Sequence, residues 1–177
     1  ALPEIWSYGH RNMQGLAIDP RSGAVWSNEH GPRGGDELNL VVPGRNYGWP
    51  VASHGINYDG SVFTADENIP WMEAPRFIWT PSIGTSGMVI YSGDRFPWWQ
   101  GNAFVAGMVG ERLVRVTLVG QDAVGAETLL HEQLGRIRDV REGPDGLIYL
   151  ALEDSGGALT PIVRLEPVDG DVALPRR

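Results

Sequence analysis

Apolar residues come in short runs along this chain, and in places they alternate with polar ones, the spacing of half-buried strands. The pattern predicts strands near residues 14–19, 24–28, 37–42, 87–92, 102–107, 112–118, 126–131, 137–142, 147–152 and 161–166. Two stretches resemble each other: IDPRSGAVWS (18–27) and EGPDGLIYLA (142–151). In each, a Pro, one or two polar residues and a Gly make a hairpin turn, and a strand carrying an aromatic follows. Turn-then-strand units recurring at long intervals suggest radially repeated four-stranded sheets, an all-β chain of the β-propeller kind. With blades of roughly 40–50 residues, a single domain over residues 1–177 holds about three or four of them. Known propellers close with four to eight blades, so three cannot close.

The segment from Tyr47 to Thr85 breaks the rhythm. It is long, aromatic and rich in Gly and Pro, with little alternation. A loop of that length in a compact domain is usually functional or disordered, and its Trp and Tyr content argues for order.

Composition narrows the classes. Gly 24 and Pro 13 make up about a fifth of the 177 residues, which fits many turns and few long helices. No run of apolar residues is long enough to span a membrane as a helix. The start, ALPEIWSYGH, lacks the basic-then-apolar layout of a signal peptide, so an export signal would lie upstream or have been removed. A net charge of −8 argues against nucleic acid as the main partner. All 14 cationic side chains are Arg, and the absence of Cys excludes disulfides, thiolate nucleophiles and zinc–cysteine sites.

Candidate chemistry concentrates in a few turns. NEHGPRGGDELN (28–39) puts four charges, three glycines and a proline into twelve residues. Gly31, Gly34 and Gly35 can aim carbonyl oxygens at one point, and Asp36 and Glu37 add carboxylates, a donor mix that suits calcium. A polar inter-strand turn with incidental charges is the alternative. Arg11 and Asn12 in YGHRNMQG offer a fork of donors beside an amide. They could bind a carboxylate or a polarised carbonyl, or close the turn against Glu29 or Asp36. In GRIRDV, strand periodicity points Arg136 and Arg138 to one face. Either a polyanionic ligand lies between them, or they pair with Glu153 or neighbours of Asp139. His10, His30, His54 and His131 show no metal-ligand spacing, and no nucleophile elbow, Walker loop or dinucleotide fingerprint is present.

Taken together, GHRNMQG, EHGPRGGDELN, GRNYGWP, GINYDG, IGTSGM and GRIRDVREGPDG resemble, in this order, the soluble pyrroloquinoline-quinone (PQQ)-dependent aldose sugar dehydrogenases, the quinoprotein oxidoreductases that include soluble glucose dehydrogenase and sorbosone-dehydrogenase-like proteins. The likeness runs from about Glu4 to Pro167 and covers only the C-terminal half of the family's six-bladed propeller. It implies PQQ and Ca2+ as cofactors and an aldose sugar as substrate, oxidised at its anomeric carbon to a lactone by hydride transfer. The Gly31 and Pro32 carbonyls would ligate the calcium under the quinone, with His30 touching the cofactor. Glu37 and the Tyr47 carbonyl would belong to a second, structural calcium site. Arg11 and Asn12 would lie at the quinone, Arg11 over its reactive carbonyl; Tyr58 and Ser82 would contact the cofactor, and Arg136 and Arg138 would bind its carboxylates.

The resemblance has two departures. The family's catalytic His base lies upstream of Ala1, so the chain alone is not expected to be an active enzyme. A Lys common among relatives aligns near Val109 and is missing here, so either Arg112 compensates or the cofactor is held more weakly. The expected partner is the N-terminal half of the propeller or a second copy of this chain, and the expected location is periplasmic or secreted. An alternative is a catalytically silent half-propeller that associates with another chain. A propeller lactonase is disfavoured, because Glu29 and Asp36 are too few carboxylates for its axis.

Overall fold

The computed structural model describes residues 2–154 and 156–168. Its strands form three antiparallel sheets, with a single 3-10 turn at Pro97–Trp99. The first sheet contains β1 (Met13–Ile18), β2 (Val25–Glu29), β3 (Asp36–Val41) and β4 (Phe77–Trp79) in sequence order. The second contains β5 (Thr85–Ile90), β6 (Ala103–Gly107), β7 (Arg112–Val119) and β8 (Asp122–Leu129), again in order. The third contains β9 (Arg136–Glu142), β10 (Ile148–Glu153) and β11 (Ile162–Leu165). Each is a meander of the propeller-blade type, and the third has three strands among the described residues rather than the expected four.

Each predicted strand has a counterpart, and the two look-alike segments are the inner hairpins of the first and third blades. Their turns close in similar ways. The Gly23 amide donates to the Asp19 carbonyl at 2.8 Å, and the Gly146 amide to that of Gly143 at 3.0 Å. One strand went unpredicted. β4 is three residues long, lies within the aromatic connection and has Pro75 and Pro81 close on either side, so it has no room to display alternation.

Strands β1, β5 and β9 lie side by side and run in the same direction, which makes them the innermost strand of each blade. The Ser86 hydroxyl donates to the Ile137 carbonyl at 2.8 Å, and Arg141 reaches the Met88 carbonyl at 3.1 Å. Close approach of β1 to β5 requires Gly15, where a Cβ would sit 2.7 Å from the Ser86 carbonyl oxygen.

Two cores fill the spaces between the blades. Trp26, Leu38, Leu40 and Trp79 of the first blade pack against Met88, Ile90, Val105, Val114 and Val116 of the second. Phe104, Ala106 and Leu113 on the second blade's other face pack against Ile137, Val140, Ile148 and Leu150 of the third. Burial on both faces explains why β6 reads AFVAG without polar alternation. Each fully buried Leu, Ile or Phe contributes about 1.5–3 kcal/mol. Among the described residues, the first blade has no such neighbour on its far side, where Leu16 and Ile18 are 56% and 61% exposed.

Candidate functional site

The inner strands all begin at one end of the sheets, so the residues there gather. Arg11 and Asn12 precede β1, Ser82 precedes β5, and Arg136 and Arg138 open β9. The β2–β3 loop, with His30, Gly31 and Pro32, turns at the same end, where the Tyr58 hydroxyl meets Arg11.

Around Arg11, each polar group has a defined partner except one. Its guanidinium donates to the His30 carbonyl at 3.2 Å and the Tyr58 hydroxyl at 3.4 Å, and lies over the Trp49 ring at 5.2 Å. Its Nε is buried with no hydrogen-bond partner among the described residues. His30 Nε2 donates to the Thr85 carbonyl at 2.5 Å, leaving Nδ1 to accept from Asn12 Nδ2 at 3.5 Å. Glu29 does meet Arg11 and Asn12, as one reading of the sequence anticipated, but through their main-chain amides, at 2.6 and 3.3 Å. His10 is structural. It stacks on Tyr47 with ring centroids 4.3 Å apart, donates from Nδ1 to Glu29 at 2.9 Å and accepts the Ser7 hydroxyl at Nε2.

The β2–β3 loop owes its shape to Asp36. This fully buried carboxylate accepts the Gly31 amide at 3.2 Å on Oδ1. On Oδ2 it accepts the Ser82 hydroxyl at 2.8 Å and the amides of Ile83 and Thr85 at 3.1 and 3.2 Å. That corrects the expectation that Asp36 is a spare oxygen donor for a cation: its lone pairs already receive four donors, and it joins two blades. Gly31 must be glycine, since a Cβ would fall 2.0 Å from the Gly34 carbonyl oxygen. Neither the Gly31 nor the Pro32 carbonyl accepts a hydrogen bond among the described residues, so both fit a hard cation that takes oxygen ligands.

Glu37 lies deeper. Burial pushes its carboxyl up to about 7, against a hydrogen bond from Asn39 that favours the ionised form and repulsion from Glu29 that opposes it. Glu37 and Tyr47 line two adjoining cavities with free space of about 10 Å³ each, roughly enough for one water or ion. A cation there would relieve the buried carboxylate, so the second calcium assignment also fits these residues. Among the described residues no cluster of three or more His, Cys, Asp or Glu side chains is arranged to hold a metal, so main-chain oxygens would have to supply most of either shell.

Arg136 and Arg138 do share a face. Both guanidiniums approach the Met108 sulfur, at 3.7 and 3.1 Å, and both come loosely within reach of Glu153, at 3.8 and 3.9 Å. They border an open depression of about 420 Å³ with Met108 and Glu153, while Arg11 and Gly31 line a different, small cavity. Val109 is exposed beside this end, its amide bonded to the Ile83 carbonyl at 2.8 Å. Arg112 donates to His131 Nε2 at 3.1 Å. His54 is separately buried, which pushes its imidazole below the usual histidine range.

Sequence reasoning passed over Trp49, Met108 and the organising roles of Glu29 and Asp36. GRNYGWP contained Trp49 in plain view, but nothing in spacing tells a cation–π platform from an ordinary loop aromatic. Three of the four donors on Asp36 come from positions 46–49 residues away, which no local pattern reveals.

Against known proteins, the Glucose / Sorbosone dehydrogenase family model matches residues 1–161. Aldose sugar dehydrogenase YliI of Escherichia coli is 43% identical over 164 residues, spanning 92% of this chain and 44% of that protein. Among solved structures, a glucose dehydrogenase superposes with a TM-score of 0.80 at 53% identity, over 84% of this chain and 43% of the other. The PQQ-bound aldose sugar dehydrogenase of Streptomyces coelicolor gives 0.70 at 32% identity, over 92% and 45%. The chain thus spans somewhat under half the length of the relatives it matches. Its three blades are of the same propeller as theirs, and a match along most of the sequence makes it a member of the glucose/sorbosone dehydrogenase family, the soluble PQQ-type sugar dehydrogenases.

Proposed function

We propose that this chain is the cofactor- and calcium-binding half of a quinoprotein that oxidises aldose sugars at the anomeric carbon to lactones. The observation that carries the reading is how weakly the chain itself satisfies the guanidiniums at this end. Arg11 and Arg136 each keep a buried Nε without a partner among the described residues, and the Arg136–Arg138 pair meets a thioether and a distant carboxylate. Such donors suit a multiply charged anion of planar carboxylates, and PQQ is a tricarboxylate.

When bound, PQQ would supply the hydride acceptor, polarised by calcium. The protein's part is orientation and charge. Arg136 and Arg138 take carboxylates. Arg11, held by His30, Tyr58 and Trp49, would place positive charge at the quinone carbonyl, the kind of group that stabilises developing negative charge. Asn12, His30, Tyr58 and Ser82 would complete the contacts; the Gly31 and Pro32 carbonyls would hold the calcium, and Glu37 with the Tyr47 carbonyl would hold the second. The sugar hydroxyl must give its proton to a base. His10 is not that base, because both its nitrogens are engaged. The family resemblance implies that the base is a His from outside this chain, so the chain alone is not expected to turn over sugar.

Exposed Leu16 and Ile18 on the first blade favour an associating surface, either the N-terminal half of the propeller or a second copy. They also support the competing reading, a silent half-propeller that binds a partner but no quinone. The sugar-oxidising reading carries with it a periplasmic or secreted location, for which a leader upstream of Ala1 is expected. Titration with calcium and PQQ separates the two. Quinone absorbance should shift on binding, and Arg136→Ala with Arg138→Ala should abolish the shift; an unchanged spectrum with the native chain favours the silent reading.

A further inference from the structure

Glu29 is 3% exposed and receives four hydrogen bonds. Oε2 accepts the main-chain amides of Arg11 at 2.6 Å and Asn12 at 3.3 Å; Oε1 accepts His10 Nδ1 at 2.9 Å and Asn39 Nδ2 at 2.9 Å. Every partner is a donor, so the position demands two acceptor oxygens. The segment it grips lies just before β1, where the pairing with β2 slips between Met13 and Gly15 and the regular ladder no longer fixes the backbone. Beyond that slip, the Asn12 carbonyl is held by the His30 amide at 3.0 Å, and among the described residues the amides of Arg11 and Asn12 are held by Glu29 alone. Arg11 then returns its guanidinium to the His30 carbonyl, one residue beyond Glu29.

We infer that Glu29 is the positioning residue for Arg11 and Asn12: its buried carboxylate fixes the main chain from which the Arg11 guanidinium is aimed. For what Arg11 is aimed at, the inference rests on the quinone reading above; the clamp itself does not. Glu29→Gln is isosteric and tests it closely. Whichever way the amide turns, its NH2 faces two donors, either the Arg11 and Asn12 amides or His10 and Asn39.

Two measurements decide. The first needs no cofactor. In the unmodified protein the Arg11 amide proton should resonate well downfield, as a short bond to a carboxylate requires, and exchange slowly with solvent. In Glu29→Gln, exchange at Arg11 and Asn12 should quicken about tenfold more than at the amides of β6 and β7, which report global opening. An ordinary shift and fast exchange in the unmodified protein, or equal acceleration everywhere in the variant, overturns the inference. The second is PQQ titration, with calcium, across a double-mutant cycle. Glu29→Gln should weaken binding about tenfold in the native background and less than about twofold in Arg11→Met. An undiminished effect in Arg11→Met shows that Glu29 does not act through Arg11. If the native protein binds no quinone while the exchange result holds, the site reading fails and the clamp stands.

Discussion

Asp36→Ala removes the acceptor on which two blades converge. The Gly31, Ile83 and Thr85 amides lose their partner in a position with no solvent exposure, and the Ser82 hydroxyl loses its acceptor. An orphaned buried donor costs about 1–3 kcal/mol. Water entering the space left by the carboxylate would recover part of that, so a net loss of about 3–5 kcal/mol is expected, in line with removing one partner of a buried charged network. Asp36→Asn makes the argument sharper. Turned with its oxygen at the Oδ2 position, the amide keeps three donors and sets its NH2 against only the Gly31 amide, so its loss should be about 1–2 kcal/mol. Urea denaturation followed by tryptophan fluorescence measures both, with the slope unchanged if the native fold is kept. A loss below about 1 kcal/mol for Asp36→Ala, or equal losses for the two variants, would refute the view that this carboxylate is a multiply bonded staple.

Two more expectations follow from the site. Folding raises the Glu37 carboxyl from 4.5 to about 7, so its contribution is greatest below pH 4.5 and is lost as pH climbs through about 7; without added metal the loss amounts to about 3 kcal/mol over that interval. Glu37→Gln should flatten the profile and calcium should offset the loss, whereas a flat profile in the native protein would contradict the burial argument. Gly31→Ala forces a Cβ into the Gly34 carbonyl, so the loop must open; calcium-dependent quinone binding should fall at least tenfold in an absorbance titration, and native affinity in this variant would mean that the loop is looser than described.

The blades were legible from the sequence because strand alternation and turn chemistry are local. IDPRSGAVWS and EGPDGLIYLA revealed equivalent hairpins from short stretches alone. β4 was not legible, since a three-residue edge strand carries no period. At the site, residue types were readable but their allegiances were not. Arg136 and Arg138 showed their common face through two-residue spacing, and Gly31 showed a special turn. Asp36 looked like a cation ligand because a carboxylate in a glycine-rich loop reads that way; the returning chain at Ser82–Thr85, folded in from the next blade, takes up Oδ2, and the Gly31 amide takes Oδ1. Glu29 was weighed as a side-chain partner of Arg11, but the bond runs to the amide, an atom that every non-proline residue has and no sequence pattern displays.

The hairpin tips at the far end of the sheets have a practical meaning. A Cβ added at Gly23 or Gly120 would meet nothing within 4 Å, and neither tip carries any of the gathered arginines or loop carbonyls. An epitope tag or a fluorescent reporter spliced into either turn should leave the proposed quinone site undisturbed, while the same graft between Gly31 and Asp36 would dismantle it. The propeller thus comes with one rim open to engineering and the other closed to it.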